Sequence, residues 1–390
     1  MIASAKGSDS MDRPKAKQWF FIFFVFLLTL SLSACKAADE SQEIVVTITS
    51  EAFPEPLLRE QAILADTNGD GALSKQEISS VKKLHIKKLL DERGDHEDGP
   101  YPTYTEADFT IDLEGIQRFS SLTELTVNML GGEVFVPDGP SEIYAKTKNF
   151  GRVYECENLT KLSLYEVDIP ELKLSSLPNL KRLDLNCMYG LTKLDTAKGQ
   201  NITFLWISQC HELEVLDLQS MDKLKTLNLV DNHSLSSILF GDANKKLETI
   251  QLNGLKNLKT ADFSPLAGLV SLNIMDSALT DLDVSANQKL EQICAEGLEL
   301  DTLDLTGNPY ISYIINDGDS FKHILLADDN CVSMIRWTNS EITEFPVDDL
   351  NPATLTGIDI QGTKIKVLDV SAYPNLEHLY YDEDVTEVIH

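Results

Sequence analysis

Between Asp66 and Glu77 the chain reads Asp66-Thr67-Asn68-Gly69-Asp70-Gly71-Ala72-Leu73-Ser74-Lys75-Gln76-Glu77. Oxygen-bearing side chains fall at the first, third, fifth, ninth and twelfth places of this run. A hard divalent cation of Ca2+ size takes about 6–8 oxygens at once. Asp66, Asn68 and Asp70 offer one each, Ala72 its carbonyl, Ser74 its hydroxyl or a water, and Glu77 both carboxylate oxygens. Gly71 at the sixth place allows the sharp turn such a cage needs, and Leu73 at the eighth anchors the loop to a core. Mg2+ fits less well, because it disfavours a crowded protein cage. The bland alternative is an Asp/Asn/Gly turn that binds nothing.

The order of donors is that of the EF-hand calcium loop. No second loop follows: the acidic stretch from Asp91 to Asp98 lacks a glycine at the sixth place, and its twelfth place is Pro102. Calcium sensors use paired hands, so a lone loop reads as a structural clamp. Ile44–Ile48 predicts a short strand before it, and Leu57, Leu58, Gln61, Ile63 and Leu64 a short helix.

What the loop must be built onto is a repeat array. Leu159, Leu180, Ile202, Leu224, Leu247, Leu269 and Leu290 recur at steps of 21, 22, 22, 23, 22 and 21 residues. A fixed period near 22 means one small unit stacked on copies of itself, each supplying the core its neighbour lacks. The fourth and sixth places of each unit are apolar as well, as in Leu162 and Leu164, Leu205 and Ile207, or Leu272 and Ile274. That alternation marks a strand with one face buried. A second apolar half follows in each unit, such as Leu213, Leu216 and Leu218, with Asp, Asn, Gly and Ser at the turns. At this point the chain resembles the leucine-rich repeat family in its short bacterial form, whose coils read L-x-x-L-x-L…L-x-x-L-D-L-S. The expected fold is a β-rich, right-handed leucine-rich repeat solenoid of parallel strands, about 21–23 residues per coil, with shorter strands or 3₁₀ turns opposite the main sheet. About thirteen coils are expected from Val81 onward, degrading in pattern after Leu305. The run from Ile44 through Phe53-Pro54, the calcium loop and Leu113-Glu114-Gly115-Ile116 is similar to the EF-hand-led cap of bacterial surface leucine-rich repeat proteins.

Residues Trp19 to Leu32 form an apolar run preceded by Arg13, Lys15 and Lys17. It is short for a membrane span, which takes about 20 residues, and has the layout of a secretory signal. It ends in Leu32-Ser33-Ala34-Cys35, which resembles the bacterial lipoprotein signal and implies a lipid on Cys35. The parts follow as 1–34 signal peptide, 35–52 lipidated tether and short strand, 53–80 EF-hand-like cap, and 81–390 solenoid. Insertions near 87–108 and 130–157 lengthen two early coils. The chain carries a net charge of −29, which argues against nucleic acid as a partner and for cations or a partner with a basic face. Its expected place is the cell envelope, lipid-anchored and extracytoplasmic, as a monomer.

The third, fifth and seventh places of each unit point outward. They include Phe204, Trp206, Val230, Met275, Tyr313, Arg336 and Tyr380, with Tyr165, Ile315 and Met334, the residue types of binding hot spots. Scattered surface hydrophobes are the plainer reading. Asp195, Asp217, Asp262, Asp283, Asp304 and Asp369 share one register on the opposite side and read as a solvated acidic edge. Five cysteines besides Cys35 exclude a full disulfide framework. Cys210 reads as a packing residue, with a Cys187–Cys210 bridge the lesser alternative. His211 and His233 match on adjacent coils without a fourth metal ligand. No phosphate loop, Gly-x-Ser-x-Gly or His-Glu-x-x-His occurs. The sequence therefore points away from an enzyme, toward a non-enzymatic envelope lipoprotein that binds a protein or glycan through the repeat surface, with one structural Ca2+. The alternatives are a hydrolase built on the insertions and a structural spacer.

Overall fold

The structure, a computed structural model, describes residues 42–88, 110–129, 146–196, 200–298, 300–318, 320–345, 350–384 and 386–390. The apolar run at Trp19–Leu32, Cys35 and most of both insertions lie outside the described residues.

Each coil enters through a short strand whose apolar places point inward. In Phe204–Ser208, Leu205 and Ile207 are fully buried while Phe204 and Trp206 are only partly covered. Stacking these strands in strict register gives one thirteen-stranded parallel sheet running from Lys83–Lys87 to His378–Tyr380. Leu183, Leu205, Leu227, Ile250 and Leu272 lie side by side along one inner row. Opposite the sheet, the second halves pair only in patches, such as Val215–Asp217 with Ser237–Leu239. Elsewhere they turn through 3₁₀ segments such as Leu174–Ser176. The described residues thus form a leucine-rich repeat solenoid around a continuous apolar interior. Residues 146–157 are built into an early coil, since Lys146–Lys148 pairs with Thr110–Asp112.

The interior is narrow, so its turns need internal hydrogen bonding. Buried Asn side chains supply it. The Asn287 amide donates to the carbonyls of Phe263 and Leu266 on the coil before, each at 2.9 Å, and Asn308 does the same to Val284 and Asn287. The Leu-Asp-Leu-Ser signature has a matching cause. Asp283 accepts from the Ser285 amide, and Asp217, Asp262, Asp304 and Asp369 accept likewise from the amide two residues on. Those aspartates are exposed, as a solvated edge requires.

Leaving the sheet, the chain turns a corner through one left-handed residue per coil, among them Cys187, Gln209, Asp231, Gly254 and Asp276. Such a residue other than glycine costs about 1–2 kcal/mol. It persists because its amide donates to the next coil, as from Asp231 to the Asn253 carbonyl at 2.8 Å. At Gly254 (φ 66°) glycine avoids that cost, and a Cβ there would push aside the Asp231 carboxylate, whose Oδ1 would stand 2.1 Å away.

At the N-terminal end, β1 (Ile44–Thr47) pairs antiparallel with β2 (Ala72–Ser74), which lies inside the acidic loop. Helix α1 (Pro56–Ala65) precedes the loop and α2 (Lys75–Ser80) leaves it. Leu58, Ala62, Leu73 and Ile78 carry the repeat core into this cap, where Phe53 and Phe119 meet with ring centroids 5.9 Å apart.

Replacing Asn287 by Ala removes one of two donors from each of the Phe263 and Leu266 carbonyls, which keep the amides of Leu266 and Leu269. The expected loss is that of two ordinary hydrogen bonds, about 1–3 kcal/mol in urea unfolding, against less than about 0.5 kcal/mol for Asp281→Ala at an exposed position.

Candidate functional site

Two places carry the sequence-derived candidates. In the loop, glycines at positive φ (Gly69, 72°; Gly71, 81°) fold the backbone back on the acidic side chains. Asp66 accepts from the amides of Gly69 and Gly71, Asn68 from Asp70, and Asp70 from Ala72. Glu77 is buried and fully engaged: Oε1 accepts from the amide and hydroxyl of Thr67, and Oε2 from those of Ser74. Those donors, the Ser74 amide foremost, hold its carboxyl down to about 2. The Glu77 amide in turn donates to Ser74 Oγ, so the pair is a capping box that starts α2.

The donor set, oxygen throughout and weighted to carboxylates, fits a Ca2+ ion in kind. Among the described residues no three His, Cys, Asp or Glu side chains converge closely enough to hold a metal. Glu77 turns both oxygens to Thr67 and Ser74, so it would have to share them between those donors and an ion. The sequence signal for a calcium ligand and that for a helix start fall on the same two residues.

The second place is the outward face of the sheet. All seven partner-binding candidates lie on it, and the structure divides them. Phe204 and Trp206 belong to one patch, where Trp206 meets Tyr165 edge-on with centroids 6.5 Å apart. Tyr313, Arg336 and Tyr380 belong to another, where Arg336 Nε lies 3.4 Å from Asp359 Oδ2. Six strand spacings separate Trp206 from Arg336 in the sheet order, about 29 Å. Val230 and Met275 sit between them at strand ends, flanking Asn253, beside a row of Asn228, Gln251 and Asn273.

The first patch holds a group that pattern reading passed over. Asp184 lies between Ser163 and Trp206 on the outward face, yet is only 2% exposed. Its Oδ2 accepts from Arg182 Nε at 2.9 Å and from Ser163 Oγ at 3.0 Å, while Oδ1 has no partner among the described residues. The Arg182 guanidinium in turn stacks 3.9 Å above the Phe204 ring. Burial, and then the charge of Asp184, push the Tyr165 hydroxyl above the usual phenol range. Leu183-Asp184-Leu185 reads in sequence as an ordinary solvated strand. Only the neighbouring coil, 22 residues on, supplies the indole beside it.

The remaining candidates have structural readings. Cys210 is buried and unbridged, its thiol pushed up to about 12 by burial, and Cys187 lies against Gln209 rather than bonded to Cys210. His211 and His233 stack with centroids 5.2 Å apart, and among the described residues no third ligand joins them to make a metal cluster.

A scan against protein-family models finds no match, and a search of curated proteins finds none. Solved structures of bacterial repeat proteins do match. The functional domain of InlJ from Listeria monocytogenes is 18% identical with a TM-score of 0.46, over 89% of this chain and 78% of that one. An internalin, InlF, from the same organism is 13% identical with a TM-score of 0.47, over 89% and 94%. A leucine-rich repeat protein of Leptospira interrogans is 15% identical with a TM-score of 0.43, over 80% of each. At these values the coil geometry itself carries the fold assignment.

Arg182→Ala strips a buried carboxylate of its charge partner. A loss of about 1–3 kcal/mol is expected in urea unfolding, and the double variant Arg182→Ala, Asp184→Asn should recover part of it.

Proposed function

We propose that this chain is a non-enzymatic cell-envelope lipoprotein that captures a protein partner on the outward face of its repeat sheet. The observation that supports this most is the patch of Tyr165, Phe204 and Trp206 assembled over the Arg182–Asp184 pair. Aromatic rings and arginine held rigid on a sheet lose little freedom on binding, which is why interface hot spots favour them. The net charge of −29 selects for a partner with a basic face and speeds its encounter. The separation of the two patches suits a partner that lies along the coils and touches both ends, with Arg336, Tyr313 and Tyr380 at the far one.

In this reading Cys35 carries the lipid that holds the chain at the membrane surface on its extracytoplasmic side. Among the described residues no helix is long and apolar enough to cross a membrane. One Ca2+ would be held by Asp66, Asn68, Asp70, Ser74 and Glu77 with the Ala72 carbonyl. Bound there, it would neutralise the loop carboxylates. The chain's own contribution is to join α1, β2 and α2 around the loop, so that the cap seals the first coil.

Two measurements test this. Capture of envelope or host-surface proteins by the wild-type chain should fall at least about tenfold with Trp206→Ala, Phe204→Ala, as loss of a hot spot of about 1.4 kcal/mol or more requires. Undiminished capture would remove the face from the account. Calorimetry with Ca2+ should give one site in the wild type and none in Asp66→Ala, Glu77→Ala. Chelation should lower the wild-type melting temperature alone, because a ligand bound only to the folded state stabilises it. Equal heats in both proteins would eliminate the loop as the ligand set.

A further inference from the structure

Beside the sheet, along the turns that lead into its first strands, runs a groove of about 600 Å3 that the proposed partner face does not use. Its lining is polar throughout and contains no carboxylate, in a chain with 62 acidic side chains against 33 basic ones. Lys82, Thr123, Thr160 and Lys181 occupy one register on successive coils, the amides of the last three each donating to the carbonyl before it at 2.8 Å. Neither Lys82 nor Lys181 has an ion-pair partner among the described residues, whereas Lys83, Arg152, Arg182 and Lys193 on the same coils do. Three strand spacings place the backbones that carry the two lysines about 14 Å apart.

Hydrogen-bond accounting says what the floor between them offers. The Thr123 and Thr160 hydroxyls donate to the carbonyls of Lys82 and Thr123, so they present lone pairs outward. Asn158 and Asn179 each spend one amide hydrogen on the carbonyls of Ser120 and Glu157, and keep the other. Their Oδ1 atoms also remain as acceptors, whereas that of Asn201, at the groove's end, already accepts from Lys223. The groove offers a floor rich in acceptors, with an amide hydrogen left on each of Asn158 and Asn179, bounded by two cationic donors.

We infer that this groove is a binding site for a short acidic oligosaccharide, with carboxylates on Lys82 and Lys181 and ring hydroxyls donating to Asn158, Asn179, Thr123 and Thr160. The alternatives fit less well. A densely sulfated or phosphorylated chain would set anions against the acceptor row. A peptide would find no pocket for alternate side chains, which peptide grooves need for specificity. Nucleic acid would find no aromatic in the groove to stack on.

The test uses the full chain and a tetrasaccharide of alternating uronate and hexosamine as probe. The uncharged hexosamine tetramer, a tetraglutamate peptide and a sulfated tetrasaccharide serve as comparisons. Calorimetry should show binding of the uronate probe at least about tenfold tighter than any of the three, weakened by salt. The Lys82→Ala, Lys181→Ala variant, changed only at exposed side chains, should lose it by at least tenfold with its melting temperature unmoved. Mass spectrometry after acetylation should find Lys82 and Lys181 protected by the probe while Lys256 is not. Equal binding of tetraglutamate or the sulfated chain would overturn the assignment, as would absence of protection at both lysines. Neither result bears on partner capture at Trp206, which is read separately.

Discussion

The stack of coils depends on hydrogen bonding across a core only one coil thick. Each sheet strand has a neighbour on either side that satisfies its backbone, but the turns opposite have no such ladder. Their inward carbonyls, such as those of Leu218, Phe263 and Val284, have only one tight-turn amide each from their own coil. The side chains of Asn244, Asn287 and Asn308 give them a second donor by reaching back to the preceding coil, which ties one coil to the next. Asn232 does it at the sheet corner, donating to Ile207 and accepting from Cys210. Leucine burial drives the coils together, while these amides decide that they stack in a single register.

The same constraint explains the ends of the sheet strands. A corner tight enough to hold the period near 22 needs a backbone in the left-handed region, and the chain accepts Asp, Gln and Cys there as well as glycine. Small and large residues then alternate where the turns touch, with Asp231 over Gly254 and Asp276 over Gly297. At the N-terminal end the solution differs. There α1 and the loop with its strand β2 take the place of a neighbouring coil, and Phe53, Leu58 and Leu73 close the core.

Because the interior is so uniform, specificity is left to the outer faces, and these are uneven. The first coils bring together aromatics, a buried carboxylate paired to a half-exposed arginine, and an acid-free polar groove. The middle coils present Thr, Asn and Gln. Later coils turn acidic at the strand ends, where the carboxyl of Glu296 is pushed up by burial and by Asp317 and Asp276. A ligand moving along the sheet meets three chemistries in turn.

Most of the scaffold was legible in the sequence. The period, the inward leucines, the strand at Ile44 and the helix after Phe53-Pro54 all follow from patterns that act over a few residues. The outward residues were legible too, since a strand of alternating burial leaves no choice of side. What tertiary structure alone decided is which of them touch. Trp206 stands beside Asp184, and Arg182 on Phe204, because stacking sets residues 22 apart beside each other, and sequence spacing does not reveal how deeply a carboxylate ends up buried among neighbours from other coils. The acidic loop marks the same boundary. Its residue types were plain from their order, but the commitment of Glu77 to Ser74 and Thr67 depends on where α2 begins, and that is set by the packing of β2 against β1.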